Sequence, residues 1–251
     1  MVKKPVDNRL IVALDVEKIS EAERAVEMLV PAVKIFKVGA QLFTACGPQV
    51  IDCVKKKGGE VFLDLKYHDI PHTVAKAVEI ATLSGVFMLT LHIQGGFWML
   101  KRALDIARAV AKEKKINRPF LLGVTVLTSL EHDDLLQLGI GRGVDMQVLH
   151  LTRLALKAGL DGVVSSSEEA RMIRQNFGEK PLIVTPGIRL KKLSSDDQKR
   201  ISTPEEAIRA GADYIVVGRP ILKANNPLKE AEKILALLKA EEEILKEEGS
   251  I

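Results

Sequence analysis

The feature that most constrains the fold is a regular alternation of short apolar runs with longer amphipathic stretches along nearly the whole chain. The runs are rich in β-branched residues and apolar along most of their length, which is typical of strands buried on both faces of a parallel sheet. They begin near Leu10, Val33, Val61, Val86, Phe120, Gly162, Leu182 and Tyr214. The stretches between them, such as SEAERAVEML (residues 20–29), carry apolar residues at three- and four-residue spacing, which predicts helices.

Eight strand–helix units in 251 residues predict one (β/α)8 TIM barrel that forms a single domain over residues 1–251. Barrels of this kind routinely use about 250 residues for one domain. The alternative is a doubly wound open sheet, although that fold seldom needs eight near-equal units. The sequence contains no linker or low-complexity tract, and its Lys- and Glu-rich tail from Lys229 predicts a solvated closing helix.

Charge and cysteine content narrow the classes of function. Lys and Arg number 37 against 33 Asp and Glu, a net charge of +4 that is too small and too evenly spread to favour nucleic acid. Cys46 and Cys53 form neither a CxxC site nor a disulfide framework, which favours a reducing, cytoplasmic compartment. No uninterrupted apolar run approaches the roughly 18–20 residues that span a bilayer, so we expect no membrane partner.

Polar residues recur at the predicted carboxyl ends of the strands, where barrel enzymes carry their active sites. In chain order they are Asp15, Lys37, Asp64, Lys66, His92, Thr125, Thr128, Arg189 and Arg219. A single charge at a barrel rim is commonly part of a structural salt bridge. So many at the same end indicate a functional site.

The sharpest signal lies at the end of the third strand. Asp64 and Lys66 are two residues apart, so the period of a strand predicts that both side chains point to one face. Lys37, one strand away, would bring a second ammonium against Asp64. Asp69, in the turn before Pro71, could close a Lys–Asp–Lys–Asp row in its own subunit's site or in a neighbour's. In such a row each charge keeps its neighbours ionised.

The last two strands predict a phosphate site. The seventh runs into PGIR (residues 186–189) and the eighth into GRP (residues 218–220), and barrels frequently bind phosphate with the loops after these strands. Glycine lets backbone N–H groups approach the phosphate oxygens, and arginine adds a forked, permanently charged donor. The alternative is that the glycines only cap turns and the arginines pair with surface acids.

Two further patterns carry less weight. His68 and His72 imitate a metal site, but Pro71 stands between them and no third ligand is near, so we expect no metal. The glycines of LGIGRGV (residues 138–144) follow no strand and lack the spacing of a dinucleotide loop.

The segment DLKYHDIPHTV (residues 64–74) resembles the orotidine 5′-monophosphate decarboxylase family. Further family motifs follow in the same order, namely LIVALD ending at Asp15, FKVG around Lys37, LTS from Leu127, VTPGIR ending at Arg189 and IVVGRPI around Arg219. The resemblance implies conversion of orotidine 5′-monophosphate to UMP and CO2 in pyrimidine biosynthesis, without metal or cofactor. The sequence departs from the family at Ile93, where a small residue is usual.

The resemblance also implies roles for individual residues. Lys37, Asp64, Lys66 and Asp69 would form a charged tetrad in which Lys66 protonates C6 of the pyrimidine. Asp69 would reach into the site of the partner subunit, which implies a homodimer. The substrate-binding residues would be Asp15 and Lys37 at the ribose, Thr128 by the base, Ile70 and Thr73 from the neighbouring subunit, and Arg189, Gln198, Gly218 and Arg219 around the phosphate.

Two alternatives stay open. Magnesium-dependent sugar-phosphate enzymes, the 3-keto-gulonate 6-phosphate decarboxylase and hexulose-phosphate synthase relatives, share the barrel and the DxKxxD pattern. They carry an acidic residue where this chain has Lys37, and a lysine there would repel the metal. The other alternative is a phosphate-binding barrel without catalytic activity, which would give the complete charged row no purpose.

Overall fold

Eight parallel strands close into a barrel in chain order in the computed structural model, which describes residues 9–190 and 201–249. The strands are β1 Leu10–Ala13, β2 Ile35–Gly39, β3 Glu60–Tyr67, β4 Met88–His92, β5 Phe120–Val124, β6 Gly162–Val164, β7 Leu182–Thr185 and β8 Tyr214–Val217. Each strand pairs with the next, and β8 pairs with β1. The predicted barrel is therefore confirmed, and the pairing of β8 with β1 rules out an open sheet.

Helices surround this barrel. They are α1 Ile19–Leu29, α2 Ala40–Cys46, α3 Gln49–Lys56, α4 Pro71–Leu83, α5 Gly96–Lys114, α6 His132–Gln137, α7 Val144–Ala158, α8 Ser167–Phe177, α9 Pro204–Arg209, α10 Arg219–Leu222 and α11 Pro227–Glu247. The strands begin within two residues of the predicted positions, because apolar runs mark strands that are covered on both faces. Within the described ranges, no helix combines the length and the apolar character that crossing a membrane requires.

Two apolar layers explain why the strand sequences are apolar almost throughout. Alternate strand residues point inward, where Ile11, Phe62 and Leu122 belong to a small cluster that fills the barrel. The residues between them point outward and form a larger cluster with the helices, as Val12 and Leu121 do. Both faces of the sheet are therefore buried, as a parallel barrel requires.

Ile93, the departure from the family pattern, is accommodated by a neighbouring glycine. Its side chain is fully buried in the short 3-10 helix Ile93–Gly95 that follows β4. A Cβ atom on Gly123 of β5 would lie only 2.6 Å from Ile93 Cγ1. The missing side chain at Gly123 therefore makes room for the larger residue.

Ion pairs tie the strands together at the amino-terminal end of the barrel. Arg118 donates two hydrogen bonds to Asp161, at 2.6 and 2.7 Å, and Asp161 also accepts the backbone N–H of Leu121 at 2.8 Å. Asp213 repeats the arrangement, since its Oδ2 accepts Arg174 Nη2 and the backbone N–H of Ile183, each at 2.8 Å. These pairs lie at the end of a barrel that serves stability, opposite the end that serves function.

The predicted closing helix is α11, and one of its faces is buried rather than solvated. Ala231, Ile234 and Leu238 are fully buried on it. The acidic Glu241 is also buried, and it accepts a hydrogen bond from Arg209 Nε of α9 at 2.7 Å. Most of the other Lys and Glu residues of the tail are exposed, on the other face of this helix.

Candidate active site

A cavity of about 420 Å³ opens at the carboxyl ends of the strands, a size within the range of small-molecule sites. Apolar side chains such as Phe62, Val126 and Val216 line part of its wall, and the rest is polar. Eight of the residues singled out by the sequence line it, namely Asp15, Lys37, Asp64, Lys66, Thr128, Arg189, Gly218 and Arg219. These eight residues, which come from strand ends far apart in the sequence, therefore meet at one cavity.

Four charged side chains of alternating sign run along one wall of the cavity. Lys66 Nζ lies 2.9 Å from Asp64 Oδ1 and 3.0 Å from Oδ2. On the other side of Asp64, Lys37 Nζ lies 3.6 Å from Oδ2 and 3.7 Å from Asp15 Oδ1. Within this chain the row is therefore Asp15–Lys37–Asp64–Lys66, which contains Asp15 in place of Asp69 of the predicted tetrad.

A bulge in β3 places Lys66 in this row. Leu63 pairs with Leu89 of β4, but the next paired residue is Tyr67, opposite Leu91, so β3 has two more residues than β4 in this interval. Lys66 itself is left-handed, with φ of 49°, a conformation that costs a non-glycine residue about 1–2 kcal/mol. The expected contact between Asp64 and Lys66 is present, but a regular strand of period two does not produce it.

Thr90 of β4 holds the bulge. Its Oγ1 accepts the backbone N–H of Lys66 at 2.9 Å and donates to Asp64 Oδ1 at 3.0 Å. The side chain is fully buried in the middle of its strand. Sequence reasoning missed this residue, because the only available signal was one hydroxyl within an apolar strand.

The charge of Asp64 is set by two opposing effects. Burial would raise the pKa of this carboxyl, but the ammonium groups of Lys37 and Lys66 lower it, as do the hydrogen bonds from Lys66 and Thr90. The balance leaves the pKa of Asp64 below its ordinary value. Asp64 is therefore an anion at neutral pH, although its side chain is only 13% exposed.

Another part of the cavity wall comes from the loops after β7 and β8. Arg189 is fixed through its backbone, which donates to the carbonyl of Ser202 at 2.9 Å, while Ser202 donates to the carbonyl of Gly187 at 3.2 Å. Gly218 lies against Asp15, since a Cβ atom there would come within 2.9 Å of Asp15 Oδ2. Both predicted loops therefore reach the mouth, with their arginines in its lining.

Three of the predicted residues do not join the cavity within this chain. Asp69, Ile70 and Thr73 are exposed at the start of α4 and, within the described ranges, do not belong to the cavity lining. The Asp69 carboxylate instead accepts the backbone N–H of Ile70 at 2.6 Å. Gln198, which the resemblance assigns to the phosphate, lies outside the described residues.

Two histidines beside the site form a stacked pair. His68 stacks on His92, with ring centroids 5.1 Å apart. Burial lowers the pKa of His92, and the nearby His68 and Lys66 lower it further. Within residues 9–190 and 201–249, no group of three or more His, Cys, Asp or Glu side chains is placed to hold a metal ion.

Comparisons of the sequence and of the structure with known proteins indicate the same family. The profile of the orotidine 5'-phosphate decarboxylase / HUMPS family matches residues 8–234. The orotidine 5'-phosphate decarboxylase of Pelobacter propionicus is 49% identical over 227 residues, covering 90% of this chain and 93% of the relative. That of Geotalea uraniireducens is 50% identical over 228 residues, covering 90% and 93%. The solved structure of orotidine 5'-phosphate decarboxylase from Lactobacillus acidophilus has a TM-score of 0.81 at 35% identity, covering 92% of this chain and 99% of that chain.

Proposed function

The chain belongs to the orotidine 5′-phosphate decarboxylase / HUMPS family, and we propose that Lys66 is the proton donor in its reaction. That reaction is the decarboxylation of orotidine 5′-monophosphate to UMP and CO2 in pyrimidine biosynthesis. The observation that carries the proposal is the ammonium of Lys66, which contacts both oxygens of Asp64 at the cavity wall.

The decarboxylation step requires a positive charge beside C6 of the pyrimidine. When the bond between C6 and the carboxylate carbon breaks, CO2 leaves and the electron pair stays on C6. This pair lies in the plane of the pyrimidine ring, where the π system cannot delocalise it. A preorganised ammonium stabilises such charge as it develops, and Lys66 then transfers a proton to C6 to give UMP. The lysine regains its proton from solvent.

The other members of the charged row keep Lys66 in place and bind the sugar. Asp64 fixes the Lys66 ammonium through two contacts, so little reorganisation is needed when the carbanion forms. Asp15 and Lys37, at the other end of the row, are assigned to the ribose hydroxyls. Thr128, half-buried in the cavity lining, is assigned to the base.

The phosphate is assigned to the part of the wall formed by the loops after β7 and β8. Arg189 and Arg219 line the cavity there and supply forked cationic donors, and Gly218 lets the phosphate approach the backbone. Gln198 would complete the set. Binding energy from this remote group can close the surrounding loops over the base and thereby contribute to the rate.

A homodimer is part of the proposal. Asp69 lies three residues beyond Lys66, at an exposed position from which it could enter a neighbouring subunit's cavity. Ile70 beside it is 66% exposed, which is unusual for a large apolar side chain and suits a contact between subunits. Asp69, Ile70 and Thr73 would then act in the partner's site.

Lys37 argues against the magnesium-dependent relatives. Its ammonium lies between the carboxylates of Asp15 and Asp64, at 3.7 and 3.6 Å. A divalent cation held by these carboxylates would have to displace a lysine that already neutralises them.

We also propose that residues 1–251 form one domain, since α11 packs on α1 and α9. We further propose that the protein is cytoplasmic, because its two cysteines are free.

The test follows the absorbance of orotidine 5′-monophosphate as it is converted to UMP, with and without EDTA. We expect full turnover in EDTA. A loss of turnover that Mg²⁺ restores would refute the metal-independent mechanism.

In the same assay Lys66→Ala should lower kcat by about 10²–10⁴-fold, which is the usual contribution of a positioned acid. The affinity of the variant for UMP should stay near the wild-type value. Lys114→Ala is the matched control, because Lys114 pairs with Glu113 on the surface at the end of α5. Near wild-type kcat in Lys66→Ala would contradict the assignment of the proton donor.

A further inference from the structure

We propose that Thr90 is a positioning residue for the decarboxylation: its hydroxyl group joins the backbone of Lys66 to the carboxylate of Asp64 and so sets the direction of the Lys66 ammonium. The inference rests on the role proposed above for Lys66. Thr90 belongs to β4, a different strand from the two residues it connects.

The direction of both hydrogen bonds is fixed by chemistry. A backbone N–H can only donate, so Thr90 Oγ1 is the acceptor in its 2.9 Å contact with Lys66. The one hydroxyl proton is then available to Asp64 Oδ1, 3.0 Å away. This second bond is strongest when Asp64 is ionised, because a charged acceptor shortens and strengthens a hydrogen bond.

The bulge gives Thr90 its importance. Three residues of β3, Asp64 to Lys66, face the single residue Thr90 between the paired positions on either side. The regular ladder therefore offers the N–H of Lys66 no carbonyl from β4, and the threonine side chain takes that place. Without it, a left-handed residue would also carry an unsatisfied N–H, and the bulge would lose the bond that favours it.

Thr90 acts on the reaction only through its neighbours. It is fully buried and, in the part of the chain that the structure describes, is not in the cavity lining. Its loss should therefore change the orientation of Lys66 and Asp64 without removing a contact to the nucleotide. The expected signature is a lower kcat with little change in KM or in inhibition by UMP.

Thr90→Val keeps the shape of the side chain and removes the hydroxyl. We expect kcat to fall about 10–100-fold, the range for loss of a hydrogen bond to a charged group. We also expect the acid limb of the kcat–pH profile to move to higher pH, because Asp64 loses a donor that lowers its pKa. Thr82→Val is the matched control, since Thr82 is equally buried but donates to Val78 within α4.

Thr90→Ser and Thr90→Cys keep the test decisive if the valine variant folds poorly. Both lack the methyl group, but only serine retains a hydroxyl, so serine should restore most of kcat and cysteine should not. Equal kcat in the serine and cysteine variants, or a Thr90→Val enzyme with wild-type kcat and acid limb, would overturn the proposal. If the proposed role of Lys66 is itself wrong, the Lys66→Ala variant will retain activity, and this result distinguishes that failure from failure of the Thr90 proposal.

Discussion

Asp161→Asn is expected to destabilise the barrel while leaving decarboxylation intact. Asp161 precedes β6 at the amino-terminal end of the barrel, on the side opposite the cavity. It accepts two hydrogen bonds from Arg118 and a third from the backbone of Leu121. Through these bonds one carboxylate links the start of β6 to the start of β5. Asparagine keeps the shape but loses the charge and one acceptor oxygen.

The magnitude follows from burial. Removing one partner of a fully buried ion pair costs about 3–5 kcal/mol, because the other charge is left uncompensated. Here the side chains of Arg118 and Asp161 are 25% and 16% exposed, so water compensates part of the loss and we expect about 2–3 kcal/mol. For a chain of this size that corresponds to a Tm lower by roughly 4–12 °C.

The informative comparison is Asp64→Asn, the same chemical change at the opposite end of the barrel. The lowered pKa of Asp64 means that its ionised carboxylate stabilises the folded chain at neutral pH, and its loss leaves Lys37 and Lys66 without their partner. We therefore expect Asp64→Asn to lower the free energy of unfolding as well, and the two variants to differ in kcat. The kcat should fall by at least about 100-fold, because the ammonium of Lys66 loses the group that fixes it.

Urea unfolding followed by circular dichroism gives the free energies, and the orotidine 5′-monophosphate absorbance assay gives kcat. The double variant Arg118→Met/Asp161→Asn should lose less than the sum of the single variants, because both remove the same pair. The reasoning is refuted if Asp161→Asn matches the wild type in urea, or if Asp161→Asn lowers kcat as much as Asp64→Asn at a temperature where both are folded.

Two further predictions concern the substrate phosphate and the shared site. Arg219→Ala should raise KM about 10–100-fold with a smaller effect on kcat, because it removes a charge-assisted contact to the phosphate; an unchanged KM would place the phosphate elsewhere. An equal mixture of Asp69→Ala and Lys66→Ala chains, unfolded together and refolded, should regain about a quarter of wild-type activity, since half of the dimers are mixed and each has one complete site. Proven mixed dimers without activity would show that Asp69 is not shared.

The fold could be predicted because its signal is repeated eight times and depends on burial alone. A strand such as LIVA at Leu10–Ala13 is covered inside by the barrel core and outside by helices, so every residue is apolar. The prediction for the closing helix was less accurate, because its composition does not indicate which residues are buried. The tail is rich in Lys and Glu, yet Glu241 is buried against Arg209, because composition does not show which side of a helix meets the protein.

The residues that line the cavity were predictable as neighbours because parallel strands bring all their carboxyl ends to one rim. Asp15, Lys37 and Arg219 are far apart in sequence but needed only their strand assignments to be placed together. The position of Asp69 could not be obtained in this way. It follows the strand in a turn, where neither strand period nor helix period fixes the direction of a side chain.

The Asp64–Lys66 pair shows the limit of periodicity most clearly. Residues i and i+2 of a regular strand share a face, but their Cα atoms stay about 6.6 Å apart and their side chains run roughly in parallel. The observed contacts of 2.9 and 3.0 Å occur where β3 bulges and Lys66 turns left-handed. What stabilises that turn is Thr90, 24 residues later on another strand. Spacing within one strand therefore identified the contacting pair, whereas the geometry on which the proposed role of Lys66 rests depends on a hydroxyl that only the closed barrel brings alongside it.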